Sequence, residues 1–455
     1  MLPTTPEFYC FLVVIFLAFW LLRRNCAASL ILICAANLFF YARSGLIYLL
    51  LIPAAATCDF LIARALGTTT SATARKLLIA ASIAMNVGLI ISSKYIPFLT
   101  GGHGFILPLS LSFYAFQAMT YTIDIYRKDT KPTLSYPQYF ASVTFFPTTL
   151  AGPITRVSSL LPQWTRNNVT LTSEEGSRAL FLIGLGLFKK FMIADYLGIN
   201  LVNRVFDLPT LYSGGDVLVA VYAYAFQLYY DFSGYTDIAI GSALLLGIRL
   251  PINFNAPYSA ANIADFWKRW HISFSKWLQE YLYFSLPGPR TKVMPYVNLI
   301  ITMAIGGLWH GAGWNYLTWG LIHGTGLAGY RLWKTLHKGR SAPSRIGRIA
   351  GSFLTFHFVL FAWIFFRAAD FDLALRILAQ ISTLHFTFEN TTPAFLAVLA
   401  IAIAGHYIPK AWYDSSMAGF AKTPAVLQAA ALALLVVAIQ HLANSGAAPF
   451  IYSRF

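Results

Sequence analysis

Long apolar runs recur along the whole chain, separated by short polar or basic stretches. They lie near 5–22, 26–42, 45–62, 77–93, 104–123, 139–161, 178–203, 216–232, 235–250, 293–309, 312–333, 350–367, 391–409 and 424–443. A bilayer core of about 30 Å needs roughly 20 helical residues. Most of these runs therefore predict membrane helices, the shorter ones tilting or borrowing flanking residues. About a dozen apolar elements result, fewer if some are re-entrant. The run 139–161 is interrupted by Pro147, Gly152 and Pro153. It predicts a re-entrant or irregular segment whose backbone must be satisfied by protein or a cavity. Lys189 and Lys190 fall inside the run 178–203 and are expected to snorkel or to mark an interface.

Residues 259–283 follow a different pattern. Phe266, Trp267, Trp270, His271, Phe274, Trp277, Leu278 and Tyr281 recur at three- and four-residue spacing, with Lys268, Arg269, Lys276, Gln279 and Glu280 largely opposite. The pattern predicts an amphipathic, tryptophan-rich helix lying in the membrane interface. His271 is on its apolar side.

Composition agrees with a polytopic membrane protein. Of 455 residues, 57% are hydrophobic and only 11% charged, against about 25% charged in soluble domains. The net charge of +16 is read as positive-inside loops meeting anionic lipid headgroups; no soluble basic module points to nucleic acid. The stretch 331–348 holds six Lys/Arg and no Asp/Glu, which predicts a cytoplasmic loop. The first run ends at Arg23-Arg24, predicting an uncleaved span with its N-terminus outside. Cys10, Cys26, Cys34 and Cys58 have no metal-ligand spacing and are expected to stay free of disulfides. No repeat of fixed period is visible, and the chain is read as one integral membrane domain, 1–455.

The strongest chemical candidate is His310, in GGLWHGAGW between two apolar runs. Burying a charged side chain at membrane depth costs about 2.5–3.5 kcal/mol or more, whereas a neutral imidazole is cheaper and exchanges protons near neutral pH. A histidine satisfied by a backbone carbonyl is the plain alternative. Gly306, Gly307, Gly311 and Gly313 favour close approach of helices or substrate. His323, thirteen positions on, suits a helix interface as well as a chemical role. Asp231 and Asp237 in YYDFSGYTDIAIG are read as structural, capping a helix break at Ser233-Gly234 or pairing with Arg249 or Arg269. Asn253 and Asn255 in PINFNAPYS are read as turn residues. The sequence has no nucleophile elbow, phosphate loop or zinc spacing.

Several stretches together resemble the membrane-bound O-acyltransferases, and within them the bacterial alginate O-acetyltransferase branch. They are LPLSLSFYAFQAMTYTIDIYR (107–127), FFPTTLAGPITR (145–156), YYDFSGYTDIAIGSALLLGIRLPINFNAPYSA (229–260), FWKRWHISFSKWLQEYLY (266–283), GGLWHGAGWNYLTWGLIHG (306–324) and PFIYSRF (449–455). The teichoic acid D-alanyl transferases and peptidoglycan O-acetyltransferases share much of this pattern. The sequence departs from it at FSLPGPR (284–290), where the family resembles IPLGGNR, and at LPLS (107–110).

The resemblance implies an all-α, multi-helix membrane bundle with a central tunnel. It places the family's catalytic histidine on His310 and its second characteristic histidine on His271. Trp267, Trp270, Ser273, Trp309, Asn315 and His323 become tunnel or donor-site candidates, and Asp231, Asp237, Arg269, Asn253 and Asn255 structural polar candidates. It also implies transfer of an acyl group, usually acetyl, from a cytoplasmic acetyl-CoA or acyl carrier protein thioester. The acyl group passes through a periplasmic partner to an exported polysaccharide, with no bound cofactor or metal, in the bacterial inner membrane. A transporter or flippase is the alternative from another class, for which the buried carboxylates would suit proton coupling.

Overall fold

The computed structural model describes residues 2–100, 110–150, 152–165, 170–288, 291–337 and 344–442. The PFIYSRF stretch (449–455), residues 107–109 of LPLS and residues 289–290 of FSLPGPR lie outside the described residues. Every regular element among the described residues is helical. In chain order these are α1 (Pro6–Leu22), α2 (Cys26–Ala42), α3 (Tyr48–Thr68), α4 (Ala72–Leu99), α5 (Ser110–Arg127), α6 (Tyr136–Val143), α7 (Val157–Trp164), α8 (Ser173–Leu187), α9 (Asn203–Asp207), α10 (Gly214–Leu245), α11 (Ile263–Arg269), α12 (Ile272–Trp277), α13 (Met294–His310), α14 (Trp314–Leu336), α15 (Arg345–Arg367), α16 (Phe371–Ser382), α17 (Pro393–His406), α18 (Lys410–Lys422) and α19 (Ala425–Leu442). Wider π-helical turns occupy Phe188–Asp195, Gly198–Val202 and Leu278–Leu282.

Among the described residues three helices are long and apolar enough to cross a membrane: α3, the Ala72–Ile96 part of α4, and α15. The pair α17 and α18, bent by 96°, passes the same test together, while α1, α2 and Ala425–His441 are shorter apolar helices. The basic stretch 331–348 is shorter as a connection than its sequence suggests. Helix α14 continues to Leu336 and α15 begins at Arg345; residues 338–343 between them lie outside the described residues.

The chain forms two compact units. The first comprises the residues up to Gly184 together with Tyr235–Pro251 and Phe420–Lys422. Its core packs Tyr48, Phe60, Tyr114, Tyr121 and Tyr139 from α3, α5 and α6. A buried polar network sits beside them: Asp59 accepts from the Ser82 hydroxyl at 2.6 Å and from Asn86 Nδ2 at 2.9 Å, and Ser82 also meets Thr122. The interrupted run 139–161 behaves as expected. Between α6 and α7 the chain is irregular yet buried, and side chains satisfy its backbone. Asn37 accepts from the Phe146 N–H, and the last carbonyls of α6 are met as well, Ala141 by Asn37 and Ser142 by Gln117.

The second unit comprises Leu185–Gly234, Ile252–Gly419 and the described residues from Thr423 onward. Here Lys190 does not snorkel. It is buried, with its ammonium 2.8 Å from Asp195 and 2.7 Å from Asp231. Asp231 therefore pairs with Lys190 rather than with Arg249 or Arg269, which bond instead to Glu175 and Asp265, each within its own unit. Nor is there a helix break at Ser233-Gly234, since α10 runs unbroken from Gly214 to Leu245. Packing overrides propensity at this point. A Cβ on Gly234 would stand 2.7 Å from the Gly186 carbonyl oxygen, so the absent side chain admits a neighbouring backbone rather than a bend. Asp237, one helical turn on in α10, is half-buried.

Helices α13 and α14 form a close hairpin. A Cβ on Gly307 would collide with the Tyr316 carbonyl, and one on Gly320 with that of Met303, so small residues set the spacing of the backbones. Removing the Lys190 charge leaves two buried carboxylates without their shared cation. Lys190→Met is therefore expected to lower stability by about 3–5 kcal/mol, read by thermal unfolding of the purified protein in detergent. An unchanged melting temperature would contradict this account of the cluster.

Candidate active site

The 266–281 pattern is buried as its sequence predicts: Phe266, Trp267, Trp270, His271, Phe274, Trp277, Leu278 and Tyr281 all face inward, while Lys268, Lys276 and Gln279 are exposed. It is not one helix, however. Helix α11 ends at Arg269, and His271 takes a left-handed conformation with φ 41° and ψ 55° before α12 begins. Such a backbone costs roughly 1–3 kcal/mol in a residue other than glycine and persists only where its surroundings impose it.

Asn253 imposes it. Its backbone carbonyl accepts the Ile272 N–H at 2.9 Å. Its side-chain oxygen accepts the Ser273 N–H at 3.1 Å and the Ser273 hydroxyl at 2.9 Å, and lies 3.2 Å from His271 Nδ1. A backbone N–H can only donate, so the amide orientation is fixed with oxygen toward the turn. His271 Nδ1 then carries the proton, and Nε2 is the basic nitrogen. Burial pushes this imidazole down, to about 3, because low-dielectric surroundings penalise the cation. Asn253 is thus more than a turn residue. Asn255 does occupy a turn: its side chain is exposed, and its N–H donates to the Arg269 carbonyl. Arg269 bonds Asp265 one turn back.

His310 is the last residue of α13, where Gly311 turns the chain to extended backbone. Its buried ring is enclosed by Trp309 at 4.5 Å, Phe366 at 4.9 Å, Trp319 at 5.0 Å and Phe274 at 5.9 Å between centroids. Phe274 also stacks on His271 at 5.0 Å, so a single phenyl ring touches both histidines. Trp319 continues the array to His323 at 4.9 Å. His323 is fully buried among Phe266, Trp267, Phe358 and Trp363. Among the described residues neither of its ring nitrogens has a hydrogen-bond partner, nor do the indole N–H groups of Trp267 and Trp319.

The other sequence candidates fall into place around this array. Trp270 packs on Trp363 and Phe254. Ser273 is held by Asn253. Asn315 donates to the Ala368 carbonyl at 2.8 Å and to that of Phe365 at 3.4 Å, anchoring the end of α15. Phe366 and Trp363, which complete the aromatic enclosure, have no sequence signal beyond their place in an apolar run. The array holds His310 buried among aromatic rings, a setting that favours the neutral imidazole.

A profile of the membrane-bound O-acyltransferase family matches residues 126–369, a span that takes in His271, His310 and His323. This chain belongs to the membrane-bound O-acyltransferase family. It is 36% identical to the peptidoglycan O-acetyltransferase of Helicobacter pylori, over 83% of this chain and 79% of that one. It is 41% identical to a protein of Azotobacter vinelandii named probable alginate O-acetylase, over 65% of this chain and 58% of that one. It is 30% identical to the teichoic acid D-alanyltransferase of Bacillus subtilis, over 59% of this chain and 71% of that one. As a family member the chain is an acyltransferase of a polytopic membrane fold.

Replacing Asn253 by Leu strands the Ser273 donors and His271 Nδ1. It is expected to lower stability by about 2–3 kcal/mol, while Asn253→Asp, which keeps the acceptor, retains most of it. Thermal unfolding of both variants checks this; equal loss in the two would contradict the assigned role of the oxygen.

Proposed function

We propose that this O-acyltransferase takes an acetyl group from a cytoplasmic thioester, acetyl-CoA or an acyl carrier protein, and makes it available for O-acetylation of an exported polysaccharide. His310 is the general base. A ring nitrogen takes the proton of the acceptor hydroxyl, and the oxygen attacks the thioester carbonyl. The carbon–sulfur bond then breaks, and the departing thiolate takes the proton back from the imidazolium. The end of α13 suits this role, because the negative pole of a helix favours positive charge that forms there. A dry aromatic enclosure positions the reactants and keeps water from the thioester. His271, held by Asn253 with Nε2 as its basic nitrogen, orients the donor or shares the proton. In this reading the enzyme sits in the bacterial inner membrane, with a tunnel open to both faces and a periplasmic partner or the polymer itself as acceptor.

The observation that carries the reading is the enclosure of His310 by Trp309, Trp319, Phe366 and Phe274, with His271 stacked on the same Phe274. Peptidoglycan as acceptor is the second reading, favoured by the larger share of this chain that the Helicobacter pylori relative matches.

General-base help typically contributes about 10²–10⁴-fold. His310→Ala and His310→Gln are accordingly expected to lose at least about 100-fold in donor-dependent acyl transfer in membranes with matched protein levels; undiminished activity in both would eliminate the role. Asparagine tolerates the left-handed region, so His271→Asn keeps the turn while removing the imidazole. It is expected to lower transfer less than the His310 variants do, and wild-type kinetics would remove His271 from the mechanism. Substrate flux in liposomes without any thioester would instead favour transport.

A further inference from the structure

A groove of about 670 Å³ lies in the second unit, and its lining includes Phe358, which packs on His323. Gly326, Tyr330 and Trp333 line it from α14, and Arg348, Gly351 and Phe358 line it from α15. The spacings of four, three and seven residues show that one face of each helix forms a wall. The start of α11, at Ala261–Ile263, closes the floor. A Cβ on Gly351 would stand 2.5 Å from the Ala261 carbonyl oxygen, so the floor is tight against α15.

The groove has two unlike ends. At the inner end Phe358 meets Gly326, where a Cβ would lie 2.6 Å from the ring. At the outer end stand Trp333 and Arg348. Ten residues separate Arg348 from Phe358 along α15, about 15 Å at the helical rise, which equals the depth of one leaflet of a bilayer core of about 30 Å. Helix α15 is itself a candidate span, and Ile349, Phe353 and Leu354 beside the groove are exposed as lipid-facing residues are. Trp333 and Tyr330 are amphipathic rings of the kind that settle at headgroup level.

Charge completes the match. Among the described residues of 331–348, Arg331, Lys334, Arg345 and Arg348 are exposed cations, and none is a carboxylate. Arg331 is engaged with the Tyr283 hydroxyl at 2.9 Å and lies over Tyr296. Asp265, in the helix that starts at the floor, is bonded to Arg269. Arg348 is exposed and makes no ion pair among the described residues.

We propose that this groove binds one anionic diacyl phospholipid, with an acyl chain laid between α14 and α15 as far as Phe358 and the phosphate at Arg348. The apolar walls supply the contact area of the chain, and Arg348 at the rim selects a negative headgroup. The inference does not rest on the acyl-transfer reading.

Native mass spectrometry of the full chain in detergent tests it, with added phosphatidylglycerol or phosphatidylcholine of identical chains. The expected result is at least about tenfold stronger retention of phosphatidylglycerol. Arg348→Ala removes that preference, Arg348→Lys keeps it, and Ala350→Trp, which fills the groove, weakens binding of both lipids. Arg348 and Ala350 are exposed, and unchanged melting temperatures in lipid-free detergent establish that the variants fold. Equal retention of the two lipids by the wild-type chain would overturn the proposal, as would phosphatidylglycerol binding that neither Arg348→Ala nor Ala350→Trp reduces. Displacement of phosphatidylglycerol by acetyl-CoA would also overturn it, reassigning the groove to the thioester.

Discussion

One amide oxygen fixes the geometry on which the rest of the site depends. Asn253 Oδ1 gathers the Ser273 N–H, the Ser273 hydroxyl and the Nδ1 edge of His271. In doing so it holds His271 in a backbone conformation that few residues tolerate. The strained turn sends α12 away from the line of α11 and seats Phe274 against both His271 and His310. A straight helix through this stretch would have kept the same residues on one face without bringing the turn to Asn253.

A second constraint shapes the fold at large. Where lipid replaces water, polar groups must find partners inside the protein. The ammonium of Lys190 sits between Asp195 and Asp231, and Asp59 is bonded by Ser82 and Asn86. Asn37 serves an irregular backbone segment from a neighbouring helix. These groups pack against apolar helices whose close approach relies on glycine, most clearly where Gly307 and Gly320 let α13 meet α14. His323 is among the exceptions, with the indole N–H groups of Trp267 and Trp319. It is buried with no hydrogen-bond partner among the described residues, and such groups are rare in native interiors.

Much of this was legible in the sequence because local periodicity is strong. The helical class, the inward face of 266–281 and the irregular buried segment after α6 all follow from the spacing of apolar residues and breakers. The family, too, was readable from several short motifs in the family's order along the chain. What stayed hidden depends on long-range contact. Lys190 and Asp231 are 41 positions apart, and nothing local pairs them. Ser233-Gly234 reads as a break until the Gly186 backbone is seen pressed against it. A left-handed histidine has no signature in composition or period, and the acceptor oxygen that stabilises it lies 18 residues away.

The account centres on an imidazole that moves a proton while an acyl group leaves its thioester. Single-turnover transfer from a labelled acetyl thioester in sealed membrane vesicles tests this most directly, comparing the wild-type chain with His310→Gln at equal folded protein. The account predicts that the wild type consumes the thioester and delivers label to a hydroxyl acceptor, while the variant leaves the thioester intact. Delivery of label by the variant at the wild-type rate would contradict it.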